Sequence, residues 1–138
     1  MSNELAINNQ PTALASSIKV ETRAEKNRAL RALNASESLN DIVRAGEVFE
    51  VVDIFQTPGV RASRNAQVPD MPCLNTYFLL TDGRSLMSQS DGIARSAQML
   101  LSMYPDCGRS TEEGYLALAV SERKLPNGNT IKSVIPVD

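Results

Sequence analysis

Residues 76–104 read TYFLLTDGRSLMSQSDGIARSAQMLLSMY, and the hydrophobic period changes within them. TYFLLT and RSLMSQ are short apolar runs, and Asp82-Gly83 between them is a hairpin signal of the type I′ kind. From Asp91 the period turns helical. Ile93, Ala94, Ala97, Leu100, Leu101 and Tyr104 recur at i, i+1, i+4, i+7, i+8 and i+11, one apolar stripe. Pro105 and Gly108 end it. The polar cluster at the change, Ser88 to Gly92, admits three readings: a serine active site, an anion-binding helix start, or a helix cap. A cap fits the pattern best. Ser90 or Asp91 can take up a free backbone N–H, an interaction worth about 1 kcal/mol. Gly92 then allows close approach of strand and helix, and Ile93 opens the stripe. A phosphate at the same N-terminus stays open as the second reading.

Working outward, GEVFEVVDIFQ (46–56) is rich in Val, Ile and Phe and reads as a strand. Its imperfect alternation suits a bent strand buried partly on both faces. Residues 57–75 hold three of the seven prolines and read as a long loop. GYLALAVSERK (114–124) is another strand, LPNGN (125–129) a turn, and TIKSVIPV (130–137) a last strand that Pro136 marks as an edge or an end. Ser38 to Val43 is a short connecting turn, with a helical turn as the alternative. Upstream, KVETRAEKNRALRAL (19–33) reads as a net-positive surface helix ordered only by docking. Residues 1–18, with Pro11 among Asn, Ser, Thr and Ala, read as a flexible arm.

The element order is therefore strand, long loop, hairpin, helix, hairpin. This is a mainly β chain with one internal helix, and it has the order of a five-stranded OB-like Greek-key barrel. Residues 37–138 form that domain, and residues 1–36 supply the arm and the basic helix.

Composition narrows the chemistry. The 138 residues suit one domain, and 42% hydrophobic content is enough for a core. There is no histidine, and Cys73 and Cys107 stand alone. That removes the usual nucleophile–histidine triads and leaves neither a disulfide framework nor a zinc spacing. No phosphate-loop motif is present, so no cofactor and no metal is expected, and catalysis is disfavoured. The first residues carry no signal-peptide pattern, and no apolar run is long enough to span a bilayer. A cytoplasmic protein with reduced thiols is the expectation. A net charge of −2 argues against a generally basic coat, but patches matter more than the sum.

An OB-like barrel takes ligands around its second and third strands and the two flanking loops. Cations collect in those places: Arg61 and Arg64 in the long loop, Arg84 in the central hairpin, and Arg123, Lys124 and Lys132 around the last turn. The acids Glu37, Asp41, Glu47, Glu50 and Asp53 gather around the first strand instead. Tyr77 and Tyr115 are the candidates for stacking on bases, a sparse platform in a chain with 4% aromatics. Phe49, Phe55, Phe78 and Tyr104 read as core.

Three stretches carry a resemblance: GEVFEVVDIFQTPGVR, the block from Asn75 to Tyr104, and ERKLPNGNTIKSV. Together, over roughly residues 37–136, the chain resembles the single-stranded DNA-binding proteins of small phages and of rolling-circle or conjugative mobile elements. The TDG hairpin leading to Ser90, Gly92 and Ile93, followed by a helix and a terminal basic NG hairpin, carries most of the likeness. The resemblance implies an OB-like barrel that coats single strands during replication and self-associates into homo-oligomers. It also implies Arg61, Arg64, Tyr77, Arg84, Lys124, Asn127 and Lys132 as DNA contacts. RNA and a replication-protein partner remain open as further partners. A non-catalytic protein-interaction module on the same barrel is the alternative function.

Overall fold

The computed structural model describes residues 15–63 and 65–138; Arg64 and residues 1–14 lie outside the described residues. Helix α1 spans Arg23–Ala35, strand β1 Glu37–Ser38 and the short helix α2 Leu39–Ile42. Strand β2 spans Val48–Arg61, β3 Met71–Leu80 and β4 Ser85–Ser88. Helix α3 spans Asp91–Met103, β5 Ala117–Lys124 and β6 Thr130–Pro136. The strands hydrogen-bond in the order β1-β4-β3-β2-β5-β6 and curl into a half-barrel. All pairs are antiparallel except β1 with β4.

The fold is mainly β, with six strands among the described residues where the sequence led us to expect five. The sixth, β1, comes from the edge of the connecting turn and pairs with Leu86 and Met87 of β4. The expected long loop also shrinks to residues 62–70, because β2 continues through Arg61 and β3 begins at Met71. Its prolines are compatible with pairing there. β5 pairs with β2 only at Val48–Glu50, and β4 pairs with β3 only at Thr76–Leu79. Residues Ala15 to Ser17 pair with β2 at Ile54 to Gln56, and beyond that point, among the described residues, β2 and β3 pair only with each other, so a proline on the outer side breaks no ladder there.

The bend expected in β2 is a bulge between Val51 and Asp53. One extra residue moves every later side chain to the opposite face. Phe49 and Val51 face the main core before the bulge and Ile54 faces it afterwards, whereas Phe55 points to a second cluster outside the sheet. The main core packs Phe49 edge-to-face on Phe78, with ring centroids 5.8 Å apart, and is closed by Ile93, Ala97, Leu100 and Leu101 of α3. This is the stripe read from the sequence. The cap is also where it was expected: Ser90 Oγ accepts the N–H of Ile93 at 3.3 Å.

Both hairpins fall where the Asp-Gly and Asn-Gly signals placed them, but neither is a type I′ turn. Gly83 and Gly128 have positive φ, while Asp82 and Asn127 do not. Each loop has three residues, closed by Leu80 N–H to Arg84 O and by Leu125 N–H to Asn129 O. A left-handed glycine in third position is the matching geometry. Asp82 Oδ1 and Asn127 Oδ1 each accept the N–H two residues on, at 3.0 Å, an Asx-type turn that needs no positive φ at the acceptor residue.

Helix α3 packs along β6, at the open seam between the sheet's edge strands β1 and β6. A Cβ built on Gly92 would stand 2.1 Å from the carbonyl oxygen of Lys132, so only glycine permits this approach. One turn on, Ser96 Oγ accepts the N–H of Val134 at 2.9 Å. The free side of β6 is therefore tied to the helix.

Candidate nucleic-acid interface

At the N-terminal end of α3 the seam opens into a cleft of about 790 Å³, bounded by Ser38 to Asn40, the end of β4, the first turn of α3 and the start of β6. Among the described residues three cations line it, Arg61 from the end of β2, Arg95 from α3 and Lys132 from β6, and Asp91 is the one carboxylate. Arg61 donates to the carbonyl of Gln89 and reaches Asp91 Oδ1 at 3.3 Å. Gln89 in turn donates to Asn75 Oδ1 at 3.0 Å and Val60 O at 3.3 Å, so the far part of the β2–β3 ribbon is pinned to the cleft wall. Lys132 donates to Asn40 Oδ1 at 3.1 Å and lies 3.7 Å from Glu122. Arg95 is exposed, with no ion pair or hydrogen bond among the described residues. The positive end of the α3 dipole adds to this field. Such a cleft can hold an extended anion along its length, with cations on both walls and one helix end at its floor.

Of the residues expected at a binding surface, Arg61 and Lys132 are brought together here. Arg84 lies on the other side of β4, ion-paired with Asp82 at 2.9 Å. Arg123 and Lys124 are exposed at the far end of β5, and Asn127 is spent on its own turn. Tyr115 is half-exposed, with the Arg109 guanidinium 5.9 Å from its ring centre. Arg64 lies outside the described residues. Tyr77 has no open face: it is 6% exposed and stacks on Phe55, centroids 4.8 Å apart, in the cluster under α1. The bulge that turns Phe55 to that side could not be located from composition.

Arg95 was missed, though a signal for it existed. On the α3 wheel it falls outside the stripe of Ile93, Ala94 and Ala97, one turn beyond the Ser90 cap. A cation there faces whatever the helix N-terminus faces.

A second constellation holds the periphery to β2. Asp53 is fully buried and accepts from Arg28 of α1 at 2.6 Å, from Arg109 at 3.2 Å and from Ser17 Oγ at 2.9 Å. Cys107 Sγ donates to Ser17 Oγ at 3.4 Å, and burial pushes its thiol up from 9.0 to about 11. That thiol is a packed group and a poor nucleophile.

Comparison with family models, with curated proteins and with solved structures found no match. Among the described residues no His, Cys, Asp and Glu group has the arrangement of a metal site, and no helix is long and apolar enough to cross a membrane.

Proposed function

We propose that the chain binds single-stranded DNA without catalysing a reaction on it, and that the seam cleft holds the phosphodiester backbone. In this reading the half-barrel is an OB-type barrel left open between its edge strands β1 and β6. Two features support the topology. Leaving β1 aside, the order β4-β3-β2-β5-β6 sets the first long strand between the second and the fourth, a Greek-key arrangement. The cleft also lies between the far part of the β2–β3 ribbon and the start of β6, the region where OB-type barrels take ligands.

The observation that carries the reading is the convergence of Arg61, Arg95 and Lys132 on one cleft in a chain of net charge −2. Cations spread at random over an acidic chain would not meet from three elements distant in sequence. The cleft serines have structural partners: Ser90 caps α3, and Ser88 Oγ accepts the N–H of Ser90 at 3.1 Å. Coating of strands during replication of a phage or mobile element, with self-association, is the role that the resemblance over residues 37–136 implies.

A gel shift with labelled oligo-dT at low salt tests the proposal. The chain should retard it, and the Arg95→Ala/Lys132→Ala double variant should bind about tenfold more weakly, two exposed contacts of about 0.7 kcal/mol each. Absence of any shift by the unaltered chain at low salt rejects the proposal.

A further inference from the structure

The stacked pair Phe55–Tyr77 lies on the outer face of β2 and β3, covered by Ala32 of α1 and flanked by Ile18 of the segment that leads into the helix. The cover is thin. Ala32 is the only fully buried residue of α1, while Leu30 and Leu33 are 54% and 43% exposed. The helix is held chiefly by polar contacts, Arg28 on Asp53 and Ser36 Oγ on Ser85 Oγ at 3.0 Å. Even the first of these is incomplete, because Arg28 Nε is buried with no hydrogen-bond partner among the described residues. Releasing α1 would not leave Asp53 unpaired, since Arg109 and Ser17 would still hold it. What release would expose is two aromatic rings and Leu79.

The cover also leaks. A groove of about 280 Å³ runs between α1 and the β3–β4 hairpin, rimmed by Arg28, Arg31 and Arg84, and reaches Val52 and Leu79 of the covered cluster. On the other side of the cluster, Met87 is paired with Tyr77 across the β3–β4 ladder, packs against the cluster and lines the seam cleft. The cleft and the aromatic pair are thus neighbours across one strand, with cations at each end.

We propose that α1 is a displaceable lid over a base-stacking site: a single strand seated in the cleft continues across β4, lifts α1 and stacks bases on Tyr77 and Phe55. This rests on the single-strand reading above. It assigns Arg84 a role in the α1 groove and makes Tyr77 a contact only when the lid is open. A nucleobase suits the exposed site because a flat π-face replaces the apolar cover that Ala32 provides, and the rim cations meet the flanking phosphates.

The test locks the lid. In Ser36→Cys/Ser85→Cys the two sulfurs replace hydroxyls already in contact, and the native thiols Cys73 and Cys107 are buried and do not compete. Tyr104→Phe and Tyr115→Phe are added so that Tyr77 is the sole tyrosine in a chain without tryptophan. With a 20-nucleotide oligo-dT, the reduced protein should show quenched Tyr77 emission. The oxidised protein should lose the quenching and bind at least about tenfold more weakly. Equal quenching in both forms, or binding by both with no quenching, overturns the lid and leaves the cleft reading standing. No binding by either the variant or the unaltered chain overturns both. Should the cysteine variant not fold, hydrogen exchange on the unaltered chain serves instead. Amides of residues 23–35 should exchange faster with oligo-dT bound, and unchanged or slower exchange overturns the lid.

Discussion

Asp53 is a carboxylate with no solvent contact, tolerable because two guanidiniums and a hydroxyl surround it. The arginine heads stay about two-fifths exposed, so the desolvation cost falls mainly on the acid. Its neighbour Cys107 has a consequence at high pH. The folded-state thiol titrates near 11 and an ordinary thiol near 9.0, because burial disfavours the thiolate. A raised folded value adds stability that is complete below the ordinary value and is lost as pH rises through the folded one. Urea unfolding followed from pH 8 to pH 11 should show a steeper loss in the unaltered chain than in Cys107→Ala. Parallel slopes would contradict this account. Below pH 8 the Cys107 thiol is protonated in both folded and unfolded chains, so the two proteins should show the same slope.

The joint between α3 and β6 depends on one glycine. Gly92→Ala drives a methyl into the Lys132 carbonyl, and backbone on both sides leaves nowhere to relax. We expect a loss of roughly 3 kcal/mol, the upper range for overpacking, measured by urea denaturation. Ser90→Ala, in contrast, removes only a cap. A Gly92→Ala midpoint equal to that of the unaltered chain would mean that the helix rides free of the strand. A glycine stands where strand meets helix, as the sequence pattern implies, but the strand it meets is β6 and not the adjoining β4. Chain order suggests the near neighbour, whereas the curl of the sheet brings the last strand to the helix. The hairpins show the same limit: Asp82-Gly83 and Asn127-Gly128 located both turns, yet the loop length came from the ladder that each turn closes.

For the molecule as a whole, three cleft cations predict a modest ionic response. Single-strand affinity should fall with a log–log salt slope of about −2, and by about 0.7 less once Arg95 is replaced by alanine. A slope near zero would indicate that the cleft does not bind phosphate, whatever the affinity. Much of the architecture was legible beforehand, because helical stripes, strand alternation, caps and turn glycines are local patterns with their own physical causes. The α3 stripe, the Ser90 cap and the mainly β order all follow from residues within a few positions of each other. The convergence of Arg61, Arg95 and Lys132, the burial of Tyr77 and the pairing of Arg28 with Asp53 do not. They depend on the register between segments tens of residues apart and on a one-residue bulge at Val51–Asp53 that exchanges the two faces of β2. Side-chain alternation has a period of two, so a single inserted residue decides which half of a strand meets the core and which meets α1. That choice is made by packing between distant segments: the imperfect alternation of residues 46–56 signals a bend, but not which residue is inserted.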